Sequence, residues 1–337
     1  MRWSNLDARE AEQATLPGYR DAVVRHFDAP EALETRFYEV RAKSALNRVP
    51  EASKVPFRWT INPYRGCSHA CVYCFARPTH AYLGFDAGRD FEKEIVVKVN
   101  VPEVLRAELR RPSWAREHVA MGTNTDPYQW VEGRYRLMPG IWEALRDART
   151  PASVLTKSPL LLRDLELMLE LGEVADVSAN LSVPTLDEKA WRATEPHTPH
   201  PRARLEAVAE LNRAGIPTGV LAAPLMPGIN DAPEQVEGLL AAADEAGAVG
   251  VGGIALHLRG ETRGVFMDWL RSARPDLVPR YEALYARGAY APQAERRRLA
   301  ALLRFPGAPS PSRFDRGDER EAFAPSPRPE PIQERLF

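Results

Sequence analysis

From residue 57 onward, short apolar runs alternate with longer stretches in which apolar positions recur every three or four residues. This pattern predicts strands followed by helices. Phe57–Tyr64 (FRWTINPY) reads as a strand and Glu94–Asn100 (EIVVKVN) as another, followed by a helix over Pro102–Arg110 with proline in its first turn. Val119–Thr123 (VAMGT) is a strand with a helix near Pro139–Ala148 behind it. Ala152–Lys157 (ASVLTK) precedes the helical stretch LLLRDLELMLELGE. Asp176–Val183 (DVSANLSV) leads through a loop rich in Pro, His and Thr to the helix PRARLEAVAELNRAG, which stops at Gly215. Ile216–Ala223 and Val249–His257 complete the series, with PEQVEGLLAAADEAG between them.

Several of these strands are nearly continuous apolar runs, the pattern of parallel strands covered by helices on both faces. Roughly six βα units indicate an α/β fold, a partial (β/α)6 TIM-like barrel over residues 56–304. Chemistry in such folds gathers at the C-terminal strand ends, where this chain places Thr123, Lys157, Asn180 and His257. A doubly wound open sheet is the alternative. It would carry a G-x-G-x-x-G loop after its first strand, and the sequence has none there.

The ends differ from this core. Residues 1–55 form a polar, mixed extension, with a helix expected within residues 8–40. Residues 305–337 hold seven prolines in 33 residues among Arg, Glu and Ser, a composition expected to stay disordered because it buries too little apolar surface. No internal repeat is seen.

Composition narrows the class. Of 337 residues, 44% are hydrophobic and 27% charged, as in ordinary globular proteins. No apolar run reaches the roughly 18 residues of a membrane span, and MRWSNLDAREAEQ lacks the apolar stretch of a signal peptide, so a cytoplasmic location is expected. The formal net charge of -1 gives no overall basic field for nucleic acid, and the run Arg296-Arg297-Arg298 reads as a solvated helix face.

The three cysteines, Cys67, Cys71 and Cys74, all lie in one segment, Asn62-Pro-Tyr-Arg-Gly-Cys-Ser-His-Ala-Cys-Val-Tyr-Cys-Phe75. A disulfide framework needs paired cysteines spread along the chain. Three thiols spaced C-x3-C-x2-C instead suggest a shared metal centre. Four thiolates normally hold a four-iron cluster, so three leave one iron open to a small molecule. The alternative is a Cys3His structural zinc site completed by His69 or His80, although zinc ligands usually come as two short pairs separated by a longer stretch.

With Tyr73 as its aromatic, the C-x3-C-x-aromatic-C loop resembles the signature of the radical S-adenosylmethionine (SAM) superfamily. The resemblance implies that the three cysteines bind three irons of a [4Fe–4S] cluster and that SAM chelates the fourth. The reduced cluster would cleave SAM to methionine and a 5′-deoxyadenosyl radical, which abstracts hydrogen from substrate. An electron donor such as flavodoxin or ferredoxin is implied as partner. From about Phe57 to Asp231 the order of motifs is similar to the spore photoproduct lyase branch: Thr123-Asn-Thr-Asp-Pro127, Leu155-Thr-Lys157, Ser178-Ala-Asn180, and Arg204-Leu-Glu-Ala with Ala214-Gly215.

The resemblance also suggests cofactor contacts. Tyr73 and Phe75 would flank the adenine of SAM, or pack as core aromatics. Lys157 would neutralise its carboxylate, or pair with a neighbouring acid. Thr125 and Asp126 would hold its amino group or ribose, or form an ordinary Asp-Pro turn. Ser178 and Asn180 share one face of a strand and would bind the ribose or methionine part, or form a satisfied core pair. His197, His200, Tyr64, Arg65 and Tyr128 are candidates for contact with an unidentified substrate, nucleic acid among them. In one respect the chain departs from the lyase branch, which has a further cysteine as hydrogen donor beside its polar turn. Met121-Gly122-Thr123 occupies that region here, and no cysteine lies outside the loop. Tyr128 is a candidate substitute donor.

Overall fold

A computed structural model describes residues 12–27, 34–51, 53 and 55–304. Its strands are β1 (Glu12–Leu16), β2 (Tyr19–Arg25), β3 (Arg36–Val40), β4 (Leu46–Arg48), β5 (Trp59–Ile61), β6 (Tyr64–Arg65), β7 (Glu94–Lys98), β8 (Val119–Met121), β9 (Ala152–Thr156), β10 (Val177–Ser182), β11 (Thr218–Leu225) and β12 (Val251–Ala255). They form two sheets. The larger runs β12-β11-β10-β9-β8-β5-β4. Its six strands from β5 to β12 are mutually parallel, and β4 is an antiparallel edge. This sequential order of parallel strands is that of a partial barrel, and each crossover carries a helix as parallel pairing requires.

Side-chain alternation sorts the two faces of the larger sheet. Ala152, Val154 and Thr156 of β9, and Ala179 and Leu181 of β10, are buried on the outer face. There they meet Leu105, Trp142, Met168, Leu171, Val208 and Leu211 from the covering helices. Each such Leu contributes roughly 1.5–3 kcal/mol by leaving water. The inner face carries Ser153 and Leu155, then Ser178, Asn180 and Ser182. Asn180 is exposed although its strand lies between β9 and β11, which makes the concave side an open lumen.

The helix Pro201–Ala214 shows how local sequence builds this shell. Proline opens it, the His200 ring accepts from the Arg202 amide, and Gly215 ends it at φ +96°.

The smaller sheet, β1-β2-β3-β7-β6, corrects three expectations. The described part of residues 8–40 forms strands and no helix: β1 and β2 are a hairpin about Pro17 and Gly18, with Gly18 at φ 83°. Segment 94–98 does not join the barrel series but pairs in parallel with β3. The stretch 57–64 is two strands rather than one, because Pro63 has no amide to continue a ladder. β5 joins the barrel, and β6 turns back onto β7. A buried carboxylate ties this sheet together, Glu94 of β7 accepting from Arg36 (2.5 Å) and from the Tyr38 hydroxyl (2.9 Å) of β3. Residues 305–337 lie outside the described part. No described helix is long and apolar enough to cross a membrane.

Candidate metal and cofactor centre

The cysteine loop follows β6, at the C-terminal mouth of the parallel strands. Gly66 enters it at φ +78°, where a Cβ would come within 2.9 Å of both His80 Cε1 and the Phe91 carbonyl, so only glycine fits. The backbone is then held from several sides. The Gln129 amide donates to the Gly66 carbonyl (3.1 Å) and accepts from the Ser68 amide (3.0 Å). The Cys67 amide donates to the Phe91 carbonyl (2.9 Å), Val72 to the Thr194 carbonyl (3.1 Å), and the Thr262 hydroxyl to the Cys74 carbonyl (3.0 Å). Buried Arg77 donates to the carbonyls of Ala70 (3.1 Å), Cys71 (3.1 Å), Ala87 (3.1 Å) and Gly88 (2.7 Å), and its guanidinium lies 5.2 Å over the Phe91 ring.

Cys67 and Cys71 are buried and Cys74 is partly so. Burial pushes all three thiols up. Asp126, Cys71 and Cys74 push Cys67 further, and Cys71 reaches about 12 with Glu195 adding to burial against Lys157. Desolvation therefore makes all three thiols resist ionising unaided.

Beside the loop lies a polar network centred on Glu195. Its carboxylate pairs with Lys157 Nζ (3.0 Å) and Arg204 Nη2 (2.7 Å), and it accepts from the Tyr73 hydroxyl. Burial alone would raise this carboxyl, but Arg204, Lys157 and Tyr73 hold it at about 2. Lys157 Nζ also donates to Ser182 Oγ (2.5 Å) and lies 5.7 Å from the Tyr73 ring centre. Arg204, fully buried, reaches the carbonyls of Ser182 (2.8 Å) and Pro199 (2.9 Å) and the Thr198 hydroxyl (2.6 Å).

The structure thus brings Tyr73 and Lys157 together beside the cysteine loop, and the ion pair weighed for Lys157 is present, with Glu195 as the acid. Phe75 is exposed, tilted onto His257 at 6.0 Å. Ser178 and Asn180 both face the lumen. Thr125 and Asp126 are instead committed to the fold. The Thr125 hydroxyl donates to the Tyr64 carbonyl (2.9 Å); Asp126 accepts from the Thr156 hydroxyl (2.6 Å) and from the amides of Lys157 (2.8 Å) and Tyr128 (2.9 Å), with His69 Nδ1 at 3.4 Å. Burial would raise Asp126, yet His69 and these donors keep it below its usual range.

Tyr64 and Tyr128 are fully buried, which corrects their reading as substrate contacts. The Tyr64 hydroxyl donates to Glu132 (2.5 Å), and Tyr128 donates to Asp164 (2.9 Å) while accepting from Trp142 Nε1 (2.7 Å). Tyr128 is therefore no candidate hydrogen donor. His197 is exposed and meets Trp130 edge-on (5.7 Å), while His200 caps its helix.

A family model for the radical SAM superfamily matches residues 61–241, more than half of the chain. The chain belongs to the radical SAM superfamily. An uncharacterized protein of Mycobacterium tuberculosis is 50% identical over 304 residues, covering 89% of each chain. An uncharacterized protein of Acidianus two-tailed virus is 30% identical over 222 residues, 64% of this chain and 71% of the viral one. Among solved structures, spore photoproduct lyase complexed with dinucleoside spore photoproduct superposes with TM-score 0.59 at 16% identity, covering 80% of each chain. A variant of that lyase with bound AdoMet and dinucleoside spore photoproduct gives 0.56 at 17% identity, covering 76% and 77%. These likenesses show the radical SAM fold.

Radical SAM proteins use a [4Fe–4S] cluster and SAM, and the donor set here fits both. Three thiols that burial holds protonated need a strongly positive centre to ionise, which iron supplies. Close by, His69 Nε2, Ser68 Oγ and Asn62 Oδ1 are buried without a partner among the described residues, as expected of groups that face a polar ligand. The Cys3His zinc reading finds no support: no three His, Cys, Asp or Glu side chains among the described residues converge on a single-ion site. A four-iron cluster needs no such convergence, since its thiolates bind different irons. The His80 ring bonds the Glu94 carbonyl through Nε2 (2.9 Å), while its Nδ1 is buried without a partner among the described residues.

Sequence reasoning missed Arg77, Ser182 and Glu195. Ser182 alternates with Ser178 and Asn180 and could have been found by extending their face by one step. Glu195, in a Pro- and His-rich loop, had no local signal.

Proposed function

We propose that Cys67, Cys71 and Cys74 hold a [4Fe–4S] cluster with one iron left for SAM, and that the chain catalyses hydrogen abstraction from a substrate. When bound, this pair supplies a 5′-deoxyadenosyl radical by reductive cleavage of SAM. The observation that carries the reading is the buried C-x3-C-x2-C loop at the C-terminal mouth of six parallel strands. In this reading Lys157 meets the SAM carboxylate, because an ammonium has three donors and only two are taken, by Glu195 and Ser182. Asn180 offers its amide to the ribose or methionine part from the lumen, with Ser178 deeper on the same face. Phe75 covers the adenine from outside while Tyr73 fixes Lys157. In this reading Thr125 holds the Tyr64 carbonyl, Asp126 orients the Lys157 backbone and His69, and neither touches the cofactor. The site is read as belonging to a cytoplasmic enzyme.

For the substrate, the lyase neighbours support a nucleic-acid lesion or modification site. The sequence has no cysteine beyond the loop, so a repair route here would use a hydrogen donor other than a thiol of these 337 residues. The reading is tested by anaerobic purification and incubation with SAM and dithionite. The expected result is about four irons per chain and release of 5′-deoxyadenosine. Cys71→Ala should lose the iron. Zinc or no metal at these positions in the wild-type protein overturns the reading.

A further inference from the structure

The cysteine nearest solvent opens onto an exposed patch. Cys74 is the least buried of the three cysteines. Phe75 beside it is 51% exposed and Tyr290 43% exposed. Between them stands His257, 6.0 Å from the Phe75 ring and stacked at 5.7 Å on Tyr290. The Arg259 guanidinium lies 5.0 Å over the outer ring. The turn that carries Arg259 packs on the cysteine loop: a Cβ at Gly260 would lie 3.5 Å from Pro78, and Thr262 bonds the Cys74 carbonyl. Arg263 follows, with no side-chain partner among the described residues. Exposed aromatic rings that carry the Arg259 guanidinium on their outer side and adjoin Cys74 form a contact surface.

Charge says what covers it. Residues 259–304 hold ten arginines against five carboxylates in a chain of net charge -1. The C-terminal segment is therefore strongly positive, and the remainder of the molecule is negative. An electron must reach the cluster from outside, because all three cysteines lie in the loop and none is left for a second iron–sulfur centre.

We infer, resting on the cluster assignment above, that Phe75, His257 and Tyr290 with Arg259 and Arg263 form the docking surface for a small acidic flavoprotein that reduces the cluster. The apolar edge of the donor's flavin meets the exposed rings, and its surrounding carboxylates meet the arginines. One electron leaves the reduced flavin and enters the cluster at the Cys74 side. No bond is made or broken in the transfer. Opposite charges raise the encounter rate and make it fall with salt.

The test uses the anaerobically loaded holoenzyme and an Arg259→Glu/Arg263→Glu double variant, both at positions outside the cluster and SAM contacts. Bleaching of the cluster absorbance is followed by stopped flow with flavodoxin hydroquinone, and separately with dithionite. Binding of oxidised flavodoxin is measured by calorimetry at two salt concentrations. In the variant, flavodoxin-driven reduction should fall roughly tenfold or more, its salt dependence should flatten, and flavodoxin affinity should drop, while dithionite reduces both proteins equally. An unchanged flavodoxin rate in the variant overturns the inference and leaves the cluster assignment standing. So does a loss confined to reduction by a ferredoxin, or a loss of single-stranded oligonucleotide binding with flavodoxin reduction intact. A wild-type chain that carries no iron overturns the cluster assignment itself.

Discussion

Glu195 and Arg204 form a buried ion pair that shares the site with a second cation, Lys157. Removing one member of such a pair leaves the other desolvated and unpaired, at a cost of about 3–5 kcal/mol. Arg204→Met should therefore lower unfolding free energy by about 3 kcal/mol, near the bottom of that range because Lys157 still compensates Glu195; urea denaturation measures it, and a loss under 1 kcal/mol would contradict the arrangement. Lys98 is a different case. Its ammonium is buried, donates to the Asn62 carbonyl (3.0 Å), and is pulled down to about 7 by burial and by Arg65. An unfolded lysine titrates near 10.4. Between these values the unfolded chain binds the extra proton, so the Lys98 contribution to stability grows as pH rises from about 7 toward 10 and is lost as pH falls through 7. Relative to Lys98→Met, the wild-type protein should gain stability from pH 7 to 9.5. A constant difference across that range would show that Lys98 stays charged in the fold.

At the scale of elements, the strand ends decide the site. Gly122 closes β8 at φ +76°, where a Cβ would sit 1.8 Å from the Leu155 carbonyl of the neighbouring strand. Gly122→Ala must push β8 and β9 apart just below Lys157. It should cost about 1–3 kcal/mol from the backbone conformation alone and lower the melting temperature, while Gly250→Ala, with open space at its Cβ, should change it little. Much at this scale was legible in the sequence. The apolar runs 119–123, 152–157, 176–183, 216–223 and 249–257 are the barrel strands β8 to β12, because a strand buried on both faces has few polar positions to spare. Partners were less legible. EIVVK reads as a strand from its β-branched residues, but nothing in those five residues shows that it pairs with Arg36–Val40 rather than with the barrel. The Pro17-Gly18 dipeptide is a turn signal that the expected helix within residues 8–40 did not take into account. Of the site, the thiols and Lys157 could be read because their spacing and strand-end position are local, whereas the Tyr73–Glu195–Arg204 network joins residues more than 100 positions apart.

Across the whole molecule, the two sheets depend on each other through the chain near the cysteine loop. β6 pairs with β7, β7 with β3, and Glu94 of β7 takes its cation from Arg36. A chain that begins at residue 49 would strip β7 of its parallel neighbour and leave the Glu94 carboxylate without Arg36 or Tyr38. It should be proteolysed between residues 64 and 98 far faster than the full chain, and equal protection of that segment in both would show that the first strands are dispensable. The same region holds one more consequence. Arg77 grips four carbonyls from two separate turns, at Ala70–Cys71 and at Ala87–Gly88, without using any thiol. These bonds tie the loop to the surrounding chain independently of its thiols, unlike small zinc domains that fold only around their metal. A molecule stripped by oxygen would keep the outline of its receptacle and could be refilled, so damage to the inorganic part need not mean loss of the protein.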